Sequence, residues 1–408
     1  MTTAVGIDLC SDYTAVHING AEQALILPTV ICRDKEAEQF SIGEEAYRKT
    51  LAGSGVLVDK LTRLAERKGT ATIGGKCYEA QELLGRFLNM AVKAALPAGT
   101  AVSEVAALSI ALPKLSEEAV ETALSAALSL GLPRSAVRIL GHTEAMMYYV
   151  LSGEKDLYSS TVALFNLSEE KLYYYEMKVI RGTQRQSVAG DGEPMDEGFN
   201  LDILKNEAGR KLGDSILLTC AEKLMARKNY SSVFLTGKGF DDIDCFPQFR
   251  EFICRRRRVC AEKGLFAIGA AAAAADRLRE ETAFPYVFLC ESRLGADISM
   301  NVVTKNREER LVLAAAGDPW GEANGRIEVI PCRQDYIDID ITPQDRMKKR
   351  RTVRIPLAGF PERPDRCTRV ALSLSFPRAD KMKLCLRDKG LGEIFPKTEA
   401  CIYEEIDL

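Results

Sequence analysis

The sequence is short of the residues that build a metal cage or a disulfide framework. Only two histidines, His17 and His142, occur in 408 residues, and neither has a companion spaced for a zinc site. The twelve cysteines are scattered from Cys10 to Cys401, and no two form a Cys-x-x-Cys pair. Such thiols read as reduced and buried in a cytoplasmic protein, not as a secreted framework. No run of eighteen apolar residues exists, and Met1 to Ile7 lacks the basic and long apolar regions of a signal peptide. Neither a membrane span nor export is therefore expected. A charge excess is missing as well. With a net charge of -3 and a pI near 5.8, no whole-protein field draws nucleic acid or an anionic membrane. The densest basic runs, Arg255 to Arg258 and Lys348 to Arg351, contain no aromatic residue on which a base could stack, and read as solvated surface.

What is present is an ordinary globular composition, 46% apolar and 28% charged, in a chain long enough for two or three packed units. Val5 to Asp8 starts an apolar strand that resumes after a polar turn through Thr14, Val16 and Ile18, which predicts a hairpin. Val105 to Ala111 and Val162 to Leu167 read as further strands. Between them Ser116 is a good N-cap, Glu117 and Glu118 suit the positive end of a helix, and Gly131 with Pro133 marks its stop. The same order returns from Val162. Leu172 to Val179 supplies a second hairpin arm, Leu201 to Arg227 one or two helices, Ser232 to Thr236 a strand, and Leu265 to Leu278 an Ala-rich helix. Two βαβ-like halves, 1–157 and 158–282, predict a duplicated α/β domain.

After an apolar connector, 283–291, the pattern changes. Ile337, Ile339 and Ile341 alternate with charges, as do Val353, Ile355 and Leu357, then Val370, Leu372, Leu374 and Phe376, then Met382, Leu384 and Leu386. Period two with Pro and Gly turns predicts an antiparallel β-module over 292–408 with one face buried. The connector run Tyr286-Val287-Phe288-Leu289-Cys290 is apolar enough to predict fixed docking.

One local motif carries chemistry. A strand ending in a carboxylate before a tight polar turn, Gly6-Ile7-Asp8-Leu9-Cys10-Ser11-Asp12-Tyr13, can order metal-bound water while turn amides face phosphates. This run resembles the first phosphate loop, GIDLGTT, of the DnaK-type seventy-kilodalton heat-shock chaperones. The resemblance continues in order along nearly the whole chain. Ile26 to Ile31 and Ser41 to Ala46 are similar to PSVVAF and VGxxA, and Lys60 stands where the family has its catalytic lysine. Ile110 to Pro113 is similar to VPA, and Arg138-Ile139-Leu140 to the start of RIINEPTAAA. Gly190-Asp191 with Gly198-Phe199-Asn200 is similar to GDxxLGGEDFD, and Ala267 to Ala271 to AVAxGAA. Leu357 to Pro361 and Lys383 to Asp388 are similar to LTGIPPAPRG and LNVSAxD. The resemblance implies a duplicated actin-like ATPase (ribonuclease-H-like) domain, then an antiparallel β-sandwich-like substrate-binding module. The family's C-terminal helical lid is not expected.

The departures fall on the nucleotide site. The family's glycine-rich second loop, DLGGGTFD, stands here as Asn166-Leu167-Ser168-Glu169-Glu170-Lys171-Leu172-Tyr173. Its three glycines, which let amides approach phosphate, are replaced, and two carboxylates would face a polyphosphate. His142 replaces the family's glutamate, and Gly237-Lys238-Gly239 is all that remains of the adenosine-side GGS turn. Only 33 residues separate Phe199 from Val233, so the adenosine-clamping subdomain is expected to be absent.

By resemblance, Asp8 sits near Mg²⁺ through water, Lys60 positions a water, and His142 is a second catalytic candidate. Cys10, Ser11, Asp12, Asn166, Ser168, Gly190, Asp191, Gly237 and Gly239 are the nucleotide-side positions, with ATP or ADP and Mg²⁺ as the cofactor the resemblance admits. Read without it, Asp8 caps its turn, Lys60 is surface, His142 is a satisfied polar residue, and Gly190, Asp191, Gly237 and Gly239 form turns. The expected function is a chaperone-like protein that binds a peptide or protein partner through the β-module without significant ATP hydrolysis. An active ATP-dependent chaperone and a scaffold in a fixed assembly are the alternatives.

Overall fold

The computed structural model describes residues 3–169, 171–181, 186–197, 199–226, 228–345 and 348–408. Glu170 of the second loop, Gly198 and Arg227 lie outside the described residues. The chain divides into two compact units, Met1–Tyr286 and Val287–Leu408. All twelve cysteines are free thiols, but only Cys10, Cys32 and Cys220 are buried, which corrects the expectation of a buried set; the others are partly or fully exposed. Among the described residues no helix is long and apolar enough to cross a membrane.

The first unit is built around strand β1, Thr3–Leu9, whose residues from Ala4 to Leu9 are all buried. Burial on both faces marks a central strand covered by helices. Four more strands flank it: β2 (Tyr13–Ile18), β3 (Leu25–Pro28), β4 (Val105–Leu112) and β5 (Val137–Gly141), in the order β5-β4-β1-β2-β3. The contacts of β1 with β4 and of β4 with β5 are parallel, and those with β2 and β3 antiparallel. A second set repeats this. Strands β6 (Thr161–Leu167), β7 (Leu172–Ile180), β8 (Ser187–Pro194), β9 (Tyr230–Thr236) and β10 (Arg258–Ala261) run in the order β10-β9-β6-β7-β8 with the same polarities.

Helices follow the same plan in both halves. In the first, α1 (Ala80–Ala95) precedes β4, α2 (Glu117–Leu128) crosses to β5, and α3 (His142–Leu151) follows it. In the second, α4 (Glu207–Met225), α5 (Pro247–Cys254) and α6 (Leu265–Asp276) hold the matching places. Ser116 caps α2, its hydroxyl accepting from the Ala119 amide at 3.2 Å. The first turn of α5 is capped from another helix, because the buried Asp214 of α4 accepts from the amides of Gln248 and Phe249 at 3.1 and 2.9 Å.

Glycine lets α6 lie directly on its neighbours. A Cβ at Gly6 would stand 2.1 Å from the Ala267 carbonyl oxygen, and one at Gly269 would stand 1.9 Å from that of Ala145. Those contacts bring β1, α3 and α6 together. The two halves differ where they carry insertions. After β3 come a small sheet (Phe40–Ile42, Ile31–Asp34, Gly55–Val58), two short helices and a hairpin. Between β8 and β9 the described residues hold only the 3₁₀ turn Leu201–Lys205 and α4. Gly190 and Asp191 correct the reading above: they are not turn residues but lie within β8, opposite Met177 and Glu176. Glycine and aspartate are poor strand formers in isolation, and pairing with β7 overrides that preference.

The second unit contains two four-stranded antiparallel sheets. One has the order Arg307–Ala314, Ala296–Thr304, Tyr336–Pro343, Arg351–Pro356; the other has Asn324–Val329, Val370–Arg378, Lys381–Asp388, Cys401–Asp407. Ile337, Ile339 and Ile341, then Val370, Leu372, Leu374 and Phe376, then Met382, Leu384 and Leu386 are buried in alternation. In the edge strand Arg351–Pro356 only Ile355 is buried. Asp388 anchors the loops: Arg363 grips it with two bonds of 2.7 and 2.8 Å, and Gly390 and Thr398 donate to it. Burial alone would raise the Asp388 carboxyl, but these donors hold it well below the usual carboxylate range.

Candidate functional site

The turn after β1 places its chemistry at the meeting of the two halves. Asp8 is fully buried and accepts three hydrogen bonds. The Tyr13 hydroxyl donates to Oδ2 at 2.7 Å, and the Cys10 thiol donates to Oδ1 at 3.3 Å. His142, the first residue of α3, donates from Nε2 to Oδ1 at 2.8 Å. With that proton on Nε2, Nδ1 is an acceptor and takes the Tyr175 hydroxyl of β7 at 3.0 Å. The imidazole lies flat on Phe266 of α6, ring centres 3.8 Å apart and planes 8° apart. Burial first, and the Asp8 charge second, push the Cys10 thiol and the Tyr13 phenol well up from their ordinary values. Both therefore stay protonated and serve as donors, and Cys10 is no nucleophile.

The turn itself is closed by its own groups. The Cys10 amide donates to the Tyr13 carbonyl at 3.0 Å. The Asp12 carboxylate draws hydrogen bonds from the amides of residues 12 and 13. Its carboxyl is nevertheless raised, by burial first and also by the negative charges of Glu169 and Asp8. The second loop is closed in the same way: the Ser168 amide donates to the Lys171 carbonyl at 2.9 Å, and the Lys171 amide donates to Ser168 Oγ at 3.2 Å. Among the described residues the amides of residues 10, 12, 13, 168 and 171 are thus already paired and not free for a phosphate.

Beside this cluster an open cleft separates the halves. Two adjoining hollows of about 340 and 540 Å³ share Asp12, Pro28, Glu44, Glu169 and Lys238. The first also reaches Ser168, Gly237, Asp241 and Lys263; the second reaches Ser11 and Lys60. Lys238 pairs with Glu169 at 2.5 Å and Lys263 with Asp241 at 2.7 Å. Neutralising both lysines in this way leaves the Asp12 and Glu44 carboxylates facing the first hollow, an unwelcoming surface for a polyphosphate.

The sequence-derived candidates fall into three places. Asp8, Cys10 and His142 converge in the buried cluster, although the first and last stand 134 positions apart in the sequence. Ser11, Asp12, Ser168, Gly237 and the exposed Lys60 line the cleft. Asn166 is buried at the end of β6, and Gly237 and Gly239 pack on the Asn166-Leu167 segment. Gly190 packs on Thr143 and Met147 of α3, while the exposed Asp191 bonds the Gly192 amide. Tyr13, Tyr175 and Phe266 were missed. Tyr13 stands inside the motif, but an aromatic after a polar turn has no pattern that announces a bond to Asp8. The pairing of Tyr175 and Phe266 with His142 is purely tertiary.

Comparison with curated proteins found no match. Residues 293–408 match the description Domain of unknown function (DUF8552). Residues 12–291, more than half of the chain, match the Family of unknown function (DUF5716) C-terminal, and the chain belongs to that family.

Proposed function

We propose that this is a chaperone-like binding protein, related to the DnaK-type chaperones, whose actin-like unit does not hydrolyse ATP and whose β-rich unit engages a peptide or protein partner. The repeated strand order of the two sheets supports the actin-like reading, which requires two α/β halves of one design with a cleft between them. The observation that carries the loss of hydrolysis is the state of Asp8 and Asp12. Asp8, which by resemblance would order the water shell of Mg²⁺, is held by Tyr13, Cys10 and His142. The Asp12 carboxylate takes the turn amides that a phosphate would use. Mg²⁺ demands octahedral oxygen ligation and keeps most of its water, and the buried surround of Asp8 does not fit it. ATP with Mg²⁺ therefore does not suit these residues.

Binding through the β-rich unit is supported by its sheet edges. Val312 and Tyr403 lie on the terminal strands Arg307–Ala314 and Cys401–Asp407, and both side chains are exposed. An extended segment adding to such an edge gains main-chain hydrogen bonds, and the exposed side chains add selectivity. Free thiols throughout support a cytoplasmic location. The test pairs two assays on the whole chain: phosphate release from ATP with Mg²⁺, and capture of unfolded model polypeptides. No release above the protein-free rate together with saturable capture is expected. Release that depends on the protein would overturn the first half, and a single stoichiometric partner with no capture of unfolded chains would recast the β-rich unit as a scaffold.

A further inference from the structure

The geometry points to a binding site for one divalent transition-metal ion of the zinc class, formed by Asp8, Cys10 and His142. One ligand atom from each of the three, a carboxylate oxygen, a thiol sulfur and an imidazole nitrogen, lies within 4.8 Å of the other two. All three side chains are buried, at 0, 8 and 2% exposure. A thiol with an imidazole selects zinc-like ions over Mg²⁺ or Ca²⁺, which take oxygen ligands. Three protein ligands leave one tetrahedral position for water or an exogenous group.

The surround has the character of an outer ligand shell. Tyr175 fixes the His142 ring through Nδ1, Phe266 fixes its plane, and Tyr13 holds the second oxygen of Asp8. Such partners orient ligands and set their tautomer. Access is short, because Tyr13, which touches Asp8, also lines the open cleft.

The charge and proton balance also closes. When the ion enters, Cys10 becomes a thiolate and its proton passes to solvent, one per ion. His142 stays neutral: its proton moves from Nε2 to Nδ1 and is donated to the Tyr175 oxygen, while Nε2 binds the ion. A dication with one thiolate and one carboxylate makes a neutral assembly, which suits a buried place. The hydrogen bonds that Asp8 now receives from Cys10 and His142 are replaced by coordination.

The test uses the full chain, stripped with a chelator and titrated with Co²⁺. One equivalent should produce tetrahedral visible bands and a thiolate charge-transfer band, both displaced by Zn²⁺. Cys10→Ser should abolish the charge-transfer band of that first equivalent. His142→Ala removes a ligand outright and should weaken binding by more than the roughly 10–100-fold lost when only an outer-shell partner is removed. Substitution of the exposed Cys77 should change neither. X-ray absorption of the zinc-loaded wild type needs no variant and should give one sulfur at about 2.3 Å with nitrogen or oxygen at about 2.0 Å. No first equivalent, a charge-transfer band that survives Cys10→Ser, or a sulfur count other than one would overturn the site.

Discussion

Asp8 and Asn166 hold the same place in the two halves of the first unit: each is the sixth residue of a seven-residue central strand. Asp8 stands opposite Ala15 and Ala111, and Asn166 opposite Tyr173 and Thr236. The duplicated frame thus presents two matched polar positions at the ends of β1 and β6, and this chain has treated them differently. The carboxylate accepts from three donors, whereas Asn166 Oδ1 has no hydrogen-bond partner among the described residues.

Tyr13→Phe removes one donor to Asp8 and leaves the carboxylate buried. Bonds to charged groups contribute about 1.5–3 kcal/mol. Urea unfolding should show a loss of that order, and an unchanged midpoint would mean that the bond does not hold the turn.

Asp12→Thr should free the amides of residues 12 and 13 from their present carboxylate and remove one negative charge from the cleft. Pyrophosphate binding, read by calorimetry, should then be stronger than in the wild type. Equal, undetectable binding in both proteins would locate the block elsewhere.

Asp214→Ala uncaps α5 from a distance. A lost cap costs about 0.5–2 kcal/mol, and here the amides of Gln248 and the buried Phe249 lose their acceptor together. Thermal unfolding should show the upper part of that range, with Asp214→Asn recovering part of it.

The Arg363 and Asp388 pair makes the second unit acid-sensitive. The folded Asp388 carboxyl lies below its unfolded value of about 3.9. Its stabilisation is therefore complete above that pH and is lost as pH falls toward the folded value. Arg363→Met should cost about 3–5 kcal/mol at neutral pH, because it leaves a buried charge unpaired. Its stability should also depend less steeply on pH below about 4 than the wild type's. Parallel acid profiles in the two proteins would contradict this account.

Much of the scaffold was legible because it is written in local patterns. The hairpin at Val5 to Ile18, the Ser116 cap and the period-two runs after Ile337 each depend on neighbours within a few residues. The strand from Ser187 to Pro194 was not, since Gly190, Asp191 and Gly192 carry no strand preference and owe their state to β7. The site was half legible. The motif pointed to Asp8 and Cys10, and the resemblance to His142. That these three meet depends on the close seating of α6 at Gly6 and Gly269, which no spacing reveals. The second loop illustrates the same limit. Its lost glycines announced a changed site, but the closure of Ser168 on Lys171 is a matter of hydrogen-bond geometry.

The claim that the phosphate seat is filled by the protein's own side chains is tested most directly by thermal unfolding with millimolar ATP and Mg²⁺. A ligand at a hundred times its dissociation constant stabilises by about 2.7 kcal/mol, which is readily measured. The account predicts a melting temperature unchanged by the nucleotide. A rise that grows with ATP concentration and is abolished by Asp8→Asn would contradict it.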